Sequence, residues 1–189
     1  MKKLLTILLL ASMSFTFSSC DSWLDVNKNV DAPDYIQEDL YLAGILSAVG
    51  QGNYWDIRAT SVLTQSFGTS SYTTYASHFY SKASANAAEM WRVTYWHAGM
   101  NLENMINQSI AAESWTLAGI GYAIKAFCWD MLTKLHGDVP MKQAFEPGRL
   151  SHDYDYQDEV YTQVREWANT AIEYLEMEDN TDYGSRLKN

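Results

Sequence analysis

Two apolar stripes at helical spacing, separated by only a few residues, constrain the fold of this chain more than any other feature. One lies within residues 85–112 and the other within residues 114–136, where Gly137 and Pro140 end the pattern. Helices of this length joined by so short a break must pack side by side as an antiparallel αα-hairpin. We expect Ser114 to cap the second helix through its hydroxyl.

The rest of the chain is predicted to be helical as well. Apolar spacing indicates two short helices between residues 38 and 67, divided at Gly50, and another helix over about residues 156–177. No strong β alternation appears, so the prediction is an all-α, repeat-like array. The apolar face of the last helix has no following partner. Residues 38–189 are therefore expected to be the N-terminal portion of a longer domain, truncated here.

Two glycines lie in the first turns of the second hairpin helix, at Gly119 and Gly121. Each costs about 1 kcal/mol relative to alanine inside a helix. We therefore expect a neighbouring helix to approach closely at these positions.

The first residues of the chain read as an export signal. Lys2 and Lys3 precede a short apolar run, and small or hydroxylated residues lead to Cys20. The run is far shorter than the roughly 20 residues of a membrane span, so residues 1–19 are predicted to be cleaved. Residues 20–37, rich in Asp and Asn, are predicted to form a tether.

The residues before Cys20, Phe17-Ser18-Ser19, resemble a bacterial lipobox. Cys20 is then the lipidation site, and its acyl chains, such as palmitate, would each add about 0.8 kcal/mol per buried CH₂. This predicts a chain that is anchored to a membrane without spanning it. The alternative is a conventional cleavage that leaves Cys20 as an ordinary thiol.

Charge and cysteine content exclude several function classes. The chain has 13 Lys plus Arg against 23 Asp plus Glu, a net charge of −10. So acidic a chain is a poor ligand for nucleic-acid phosphates or for anionic lipid. Cys128 is the second of two cysteines and lies mid-helix, where we expect a buried structural thiol.

Aromatic residues make up 14% of the chain, with 7 Trp and 13 Tyr. A Ser/Thr-rich segment over residues 69–84 is predicted to be an irregular loop. It offers flat aromatic faces and an amide nearby, the chemistry that binds sugars, at Tyr72, Tyr75, Phe79, Tyr80 and Asn86. The alternative is that these aromatics fix the loop to the helices. The tryptophans and tyrosine at helical spacing are expected in the core: Trp91, Tyr95, Trp96, Trp115 and Trp167.

Several motifs together resemble the SusD/RagB family of outer-membrane nutrient-binding lipoproteins. The stretch from Gly121 to Pro140 resembles the family's helix and turn and ends in Leu135-His136-Gly137-Asp138-Val139-Pro140, with His136 where the family usually has Tyr or Phe. Residues 20–27 are similar to the family's start after lipidation. Trp91, Tyr95 and Asn101 are similar to its Trp and Tyr helix. The resemblance covers essentially all of residues 1–178, although family members are typically more than twice as long.

The resemblance implies tetratricopeptide-like helical repeats with long loops, incomplete here. It also implies a lipid-anchored, surface-exposed protein of the outer membrane. Such a protein binds an oligosaccharide or other nutrient and delivers it to a SusC-type TonB-dependent transporter, with no catalysis and no cofactor.

Two other functions stay open at this point: a helical scaffold that binds no ligand, and a surface hydrolase. The histidines lack zinc-site spacing, and no nucleophile elbow or phosphate loop occurs, so we predict neither a metal nor a catalytic residue. The acidic residues around Asp155 are interpreted as a helix N-terminus rather than a calcium site.

Overall fold

The computed structural model describes residues 36–66, 89–179 and 181 of the chain. Their helices lie within the unit Gln37–Asn189 and are α1 (Glu38–Leu63), α2 (Glu89–Arg92), a π-helical turn (Val93–His97), α3 (Gly99–Ala111), α4 (Trp115–His136) and α5 (Gln157–Glu176). The described residues contain no strand, only a bridge between Val139 and Asp155. The all-α, tetratricopeptide-like prediction is confirmed. The predicted signal, Cys20 and nearly all of the tether lie outside the described residues.

Helix α1 is one helix of 26 residues, so the prediction of two short helices divided at Gly50 was wrong. Gly50 is exposed, and a Cβ there would meet no atom within 4 Å. A glycine inside a helix costs about 1 kcal/mol relative to alanine. That cost ends a helix only where packing against other elements does not stabilise the helix. Leu42 and Ile45 pack into the core before Gly50, and Asp56 is buried after it, so tertiary contacts continue the helix.

Helices α3 and α4 form the predicted αα-hairpin. Contacts run in opposite directions along the two helices: Glu103 pairs with Lys125, and Ile106 lies beside Gly121. The connection turns at Glu113, whose φ is 56°. The hairpin prediction is confirmed.

The first hairpin helix is shorter than predicted, because a π-helical turn interrupts it before Gly99. The N–H of Ala98 donates to the carbonyl of Val93, five residues back, at 2.9 Å. The wider turn moves side chains off the α-helical spacing. Trp96 is consequently 79% exposed, and the prediction that it lies in the core was wrong.

Helix α5 packs antiparallel on α4. The Gln157 amide, at the start of α5, donates to the Thr133 carbonyl near the end of α4 at 2.7 Å. At the other ends, the rings of Trp115 and Tyr174 stack with centroids 5.8 Å apart. The preceding helix therefore covers part of the apolar face of α5: Val160 and Ala171 are buried, whereas Leu175 is 40% exposed.

The two glycines of α4 face different neighbours. A Cβ on Gly119 would lie 2.7 Å from Leu175 Cγ on α5, and one on Gly121 would lie 2.6 Å from Ile106 Cγ1 on α3. Neither space admits a methyl group without displacement. The predicted close approach is confirmed at both positions, and α4 lies between α3 and α5.

Two apolar clusters form the core. The first joins α1, α2, the π-helical turn, α3 and α4 around Leu42, Ile45, Met90, Val93, Leu102, Met105, Ile106, Leu117 and Cys128. The second joins α4, the segment after it and α5 around Trp129, Leu132, Val139, Met141 and Val160, with Trp91, Tyr95 and Trp167 packed against it. Apart from Trp96, the aromatics expected in the core are packed or stacked against other side chains.

Aspartates distant in sequence supply the first N–H groups of three helices with an acceptor. Asp56 accepts from the N–H of Met90 at 2.7 Å, Asp138 from Gln157 at 2.9 Å, and Asp179 from Thr116 at 2.7 Å. A carboxylate at a helix N-terminus also interacts favourably with the helix dipole.

Ser114 is the N-cap residue of α4, as predicted, but the expected capping bond from its side chain is absent. The Ser114 hydroxyl makes no capping bond and lies 3.4 Å from the Thr181 hydroxyl. Asp179 accepts the hydrogen bond instead, because its charged oxygen is the stronger acceptor.

Candidate functional site

A groove formed by α3, α4, α5 and the segment between α4 and α5 is the candidate site among the described residues. It encloses about 570 Å³, within the usual range for small-molecule sites. We call it the amide groove; it is lined by Met100, Glu103, Asn104, Asn107, Lys125, Met141, Lys142, Phe145, Glu146, Pro147, Gln163 and Trp167.

The predicted contacts Tyr72, Tyr75, Phe79, Tyr80 and Asn86 lie outside the described residues. The amide groove shares none of these positions.

A partly buried ion pair lies within this groove. Lys125 Nζ is 2.5 Å from Glu103 Oε1, and the two side chains are 13% and 24% exposed. The same ammonium lies 4.5 Å from the centroid of the Trp167 ring, a cation–π distance. The charges of Lys125 and Glu103 neutralise each other. The cation–π contact with Lys125 helps to position the Trp167 ring.

Three amide side chains line the groove with their polar atoms unused. Among the described residues, the side chains of Asn104, Asn107 and Gln163 have no hydrogen-bond partner. Each amide offers two N–H donors and a carbonyl acceptor. Together they can bind a ligand that carries several hydroxyl groups.

The segment that forms one wall is fixed to the start of α5. One Asp155 oxygen accepts from the N–H groups of Met141 and Lys142, both at 2.8 Å. Lys142 Nζ lies 3.0 Å from Glu159, and this bond raises the pKa of Lys142. The wall is thus built before any ligand arrives, which lowers the entropy cost of binding.

The Gly-Asp-Val-Pro turn sets the direction of this wall. Gly137 has φ 79° and ψ −123°, a conformation essentially confined to glycine. The Thr133 hydroxyl donates to the Gly137 carbonyl at 2.7 Å, and Asp138 caps α5. The turn is structural, as its sequence indicates.

His136 replaces the usual aromatic residue before this turn and keeps an aromatic contact. Its ring packs edge-on against Trp91 with centroids 5.3 Å apart. Burial lowers the pKa of His136, partly offset by the negative charge of Asp56.

Four aspartates and the thiol have structural roles. Asp56, Asp138, Asp155 and Asp179 accept backbone hydrogen bonds at helix starts or turns. Burial raises the pKa of Cys128 to about 12, so its thiol stays protonated, as expected for a structural cysteine.

The described residues contain neither a metal-site cluster nor a membrane-spanning helix. No group of three or more His, Cys, Asp or Glu side chains there could hold a metal ion. None of the described helices is both long and apolar enough to span a membrane.

None of the residues that line the amide groove was predicted from the sequence as a ligand contact. Asn104 and Asn107 lie three residues apart on the polar side of the predicted helix, and this spacing is the signal that could have identified them. Lys125 and Gln163 lie on other helices, and only the packing of α4 between α3 and α5 brings them to the same groove.

Comparison with known proteins gives one match. The model of a SusD-like family, described as starch-binding and associating with the outer membrane, matches residues 42–186. The match covers most of α1 and every later helix, including all residues of the amide groove. No curated protein and no solved structure matches the chain.

Proposed function

The chain belongs to the SusD-like family, described as starch-binding and associating with the outer membrane, and we propose that it binds an oligosaccharide in the amide groove. The observation that carries this proposal is the set of unpartnered amides at Asn104, Asn107 and Gln163. Sugar hydroxyls both donate and accept hydrogen bonds, and amide side chains do the same.

The charge of the amide groove favours a neutral sugar. Lys125 is paired with Glu103, and Lys142 with Glu159. Glu146 is paired with Arg149 at 3.0 Å. An anionic sugar would meet no unpaired cation, so we propose an uncharged, starch-like oligosaccharide as the ligand.

The wider role proposed is capture at the cell surface. Lipidation at Cys20 would anchor the chain to the outer membrane, and the ligand would pass to a SusC-type TonB-dependent transporter. No bond is broken in this role, so it requires no catalytic residue and no cofactor. Tyr72, Tyr75, Phe79, Tyr80 and Asn86 stay proposed as further ligand contacts.

Calorimetric titration of the full mature chain with maltoheptaose tests the proposal. The double variant Asn104→Ala/Gln163→Ala removes two amides, and each lost hydrogen bond costs about 1 kcal/mol. We expect affinity to fall about tenfold or more. Asn169→Ala, an exposed amide of α5 outside the groove, is the matched control and should bind normally.

Two results would contradict the proposal: no binding of maltoheptaose by the wild-type chain, or equal affinity in the double variant. Co-purification with a transporter in the absence of any bound saccharide would favour the scaffold instead. Hydrolysis of a labelled oligosaccharide would favour the surface hydrolase.

A further inference from the structure

A second groove lies between α1 and the region of α2 and the π-helical turn. It also encloses about 570 Å³ and shares no residue with the amide groove. We call it the α1 groove; the residues used below are Ser47, Gln51, Gly52, Trp55, Glu89 and His97. Neither the family match nor the proposed function assigns it a role.

Trp55 gives this groove an aromatic face. The Arg58 guanidinium lies 4.6 Å from the centroid of the Trp55 ring, and the Tyr54 ring meets it edge-on at 5.9 Å. With both neighbours in place, 47% of Trp55 stays exposed. Arg58 and Tyr54 therefore fix the position of the indole but leave part of its surface accessible. An aromatic surface of this kind can stack against a flat ligand.

Polar groups without protein partners lie around that face. The side chains of Ser47, Gln51 and His97 have no hydrogen-bond partner among the described residues. Glu89 is paired with Arg92 at 3.1 Å, so its charge is balanced. A hydroxyl, an amide and an imidazole supply both donors and acceptors.

The α1 wall is uncharged and closely packed. Residues 40–55 contain no charged side chain. At Gly52 an added Cβ would lie 2.5 Å from Val93 Cγ2, so α1 and the π-helical turn come together beneath the groove. This uncharged stretch of α1, the Trp55 face and the hydrogen-bonding side chains suit an uncharged ligand that is rich in hydroxyls and has one apolar face.

We infer that the α1 groove is a second subsite for a neutral saccharide, in which a sugar ring stacks on Trp55. Its hydroxyl groups bond to Gln51, Ser47 and His97. This inference rests on the proposed function, because it assigns the same class of ligand to another part of the chain. Two separate subsites suit a chain that captures a polymeric saccharide at two points.

Calorimetry with maltotriose, a ligand short enough to occupy one groove, tests the second subsite. We expect two sites per wild-type chain, and in Trp55→Ala and in Asn104→Ala/Gln163→Ala one unchanged site, with the affinity of the other reduced about tenfold or more. Trp55→Phe keeps an aromatic face and should retain two. Trp96→Ala removes another exposed tryptophan, outside the α1 groove, and should also retain two. Circular dichroism establishes that each variant is folded.

The outcomes separate the two proposals. One site per wild-type chain, weakened in the amide variant and unchanged in Trp55→Ala, overturns the second subsite and leaves the proposed function standing. Failure of the wild-type chain to bind either maltotriose or maltoheptaose overturns both.

Discussion

Single aspartates connect parts of the chain that are far apart in sequence. Asp56, Asp138 and Asp179 accept hydrogen bonds from the first turns of α2, α5 and α4 respectively. Their separations from the N–H groups they bind range from 19 to 63 residues. Part of the acidic excess of this chain therefore serves to hold helices together.

Removal of the α4 cap should destabilise the protein measurably. Asp179→Ala leaves the Thr116 N–H without its acceptor, and loss of such a cap costs about 1 kcal/mol, up to about 2. Chemical denaturation of the full chain measures the change. Glu178→Ala alters an exposed neighbour and should stay within about 0.5 kcal/mol of wild type. Equal stability of the two variants would contradict the capping role.

The same cap should be sensitive to acid. Burial alone would raise the pKa of Asp179, but hydrogen bonds from Thr181 and Thr116 outweigh it and lower the pKa below the ordinary 3.8. Because the pKa of Asp179 is lower in the folded state than in the unfolded state, its ionised carboxylate stabilises the fold at pH values above 3.8. This stabilisation is lost as the pH falls below 3.8 and through the folded-state pKa.

Comparison of wild type with Asp179→Asn isolates this effect. Near neutral pH the wild type should be more stable by about 0.3–1 kcal/mol, because the charge at the start of α4 is lost in the variant. The difference should shrink as pH falls below about 4. A difference that stays constant from pH 7 to pH 3 would contradict the assignment.

At the scale of helices, α4 depends on small residues at its two contacts. Gly119→Ala would press a methyl group against α5, and Gly121→Ala would press one against α3. Overpacking of this kind costs about 1–3 kcal/mol, which exceeds the gain in helix propensity.

Gly44→Ala is the matched control for these substitutions. Gly44 is exposed within α1, and a Cβ there would meet no atom within 4 Å. The substitution should raise the free energy of unfolding by up to about 1 kcal/mol. If all three variants were stabilised, the close packing of α4 would be refuted.

The helix predicted over residues 85–112 shows what apolar spacing alone cannot predict, because a π-helical turn lies within this range. Apolar spacing located the α3 region but not the π-helical turn before it. The signal that could have found the turn is Gly99, where an added Cβ would collide with the Thr94 carbonyl and the Phe145 ring. Phe145 is 46 positions away, so the constraint is tertiary and does not appear in local spacing.

At the scale of the whole chain, the sequence was sufficient for the class of fold and for the hairpin of α3 and α4. Helical periodicity and the short break after Ala112 are local features, and they predict these elements directly. The amide groove is different in kind. Its amides lie on α3 and α5, which come together only because α4 packs against both helices.

We propose that a neutral oligosaccharide binds to the unpartnered amides of the amide groove. A crystal structure of the mature chain with maltoheptaose tests it most directly. We expect saccharide density in this groove, with sugar hydroxyls within hydrogen-bond distance of Asn104, Asn107 and Gln163. Saccharide bound elsewhere, with the amide groove holding only water, would contradict it.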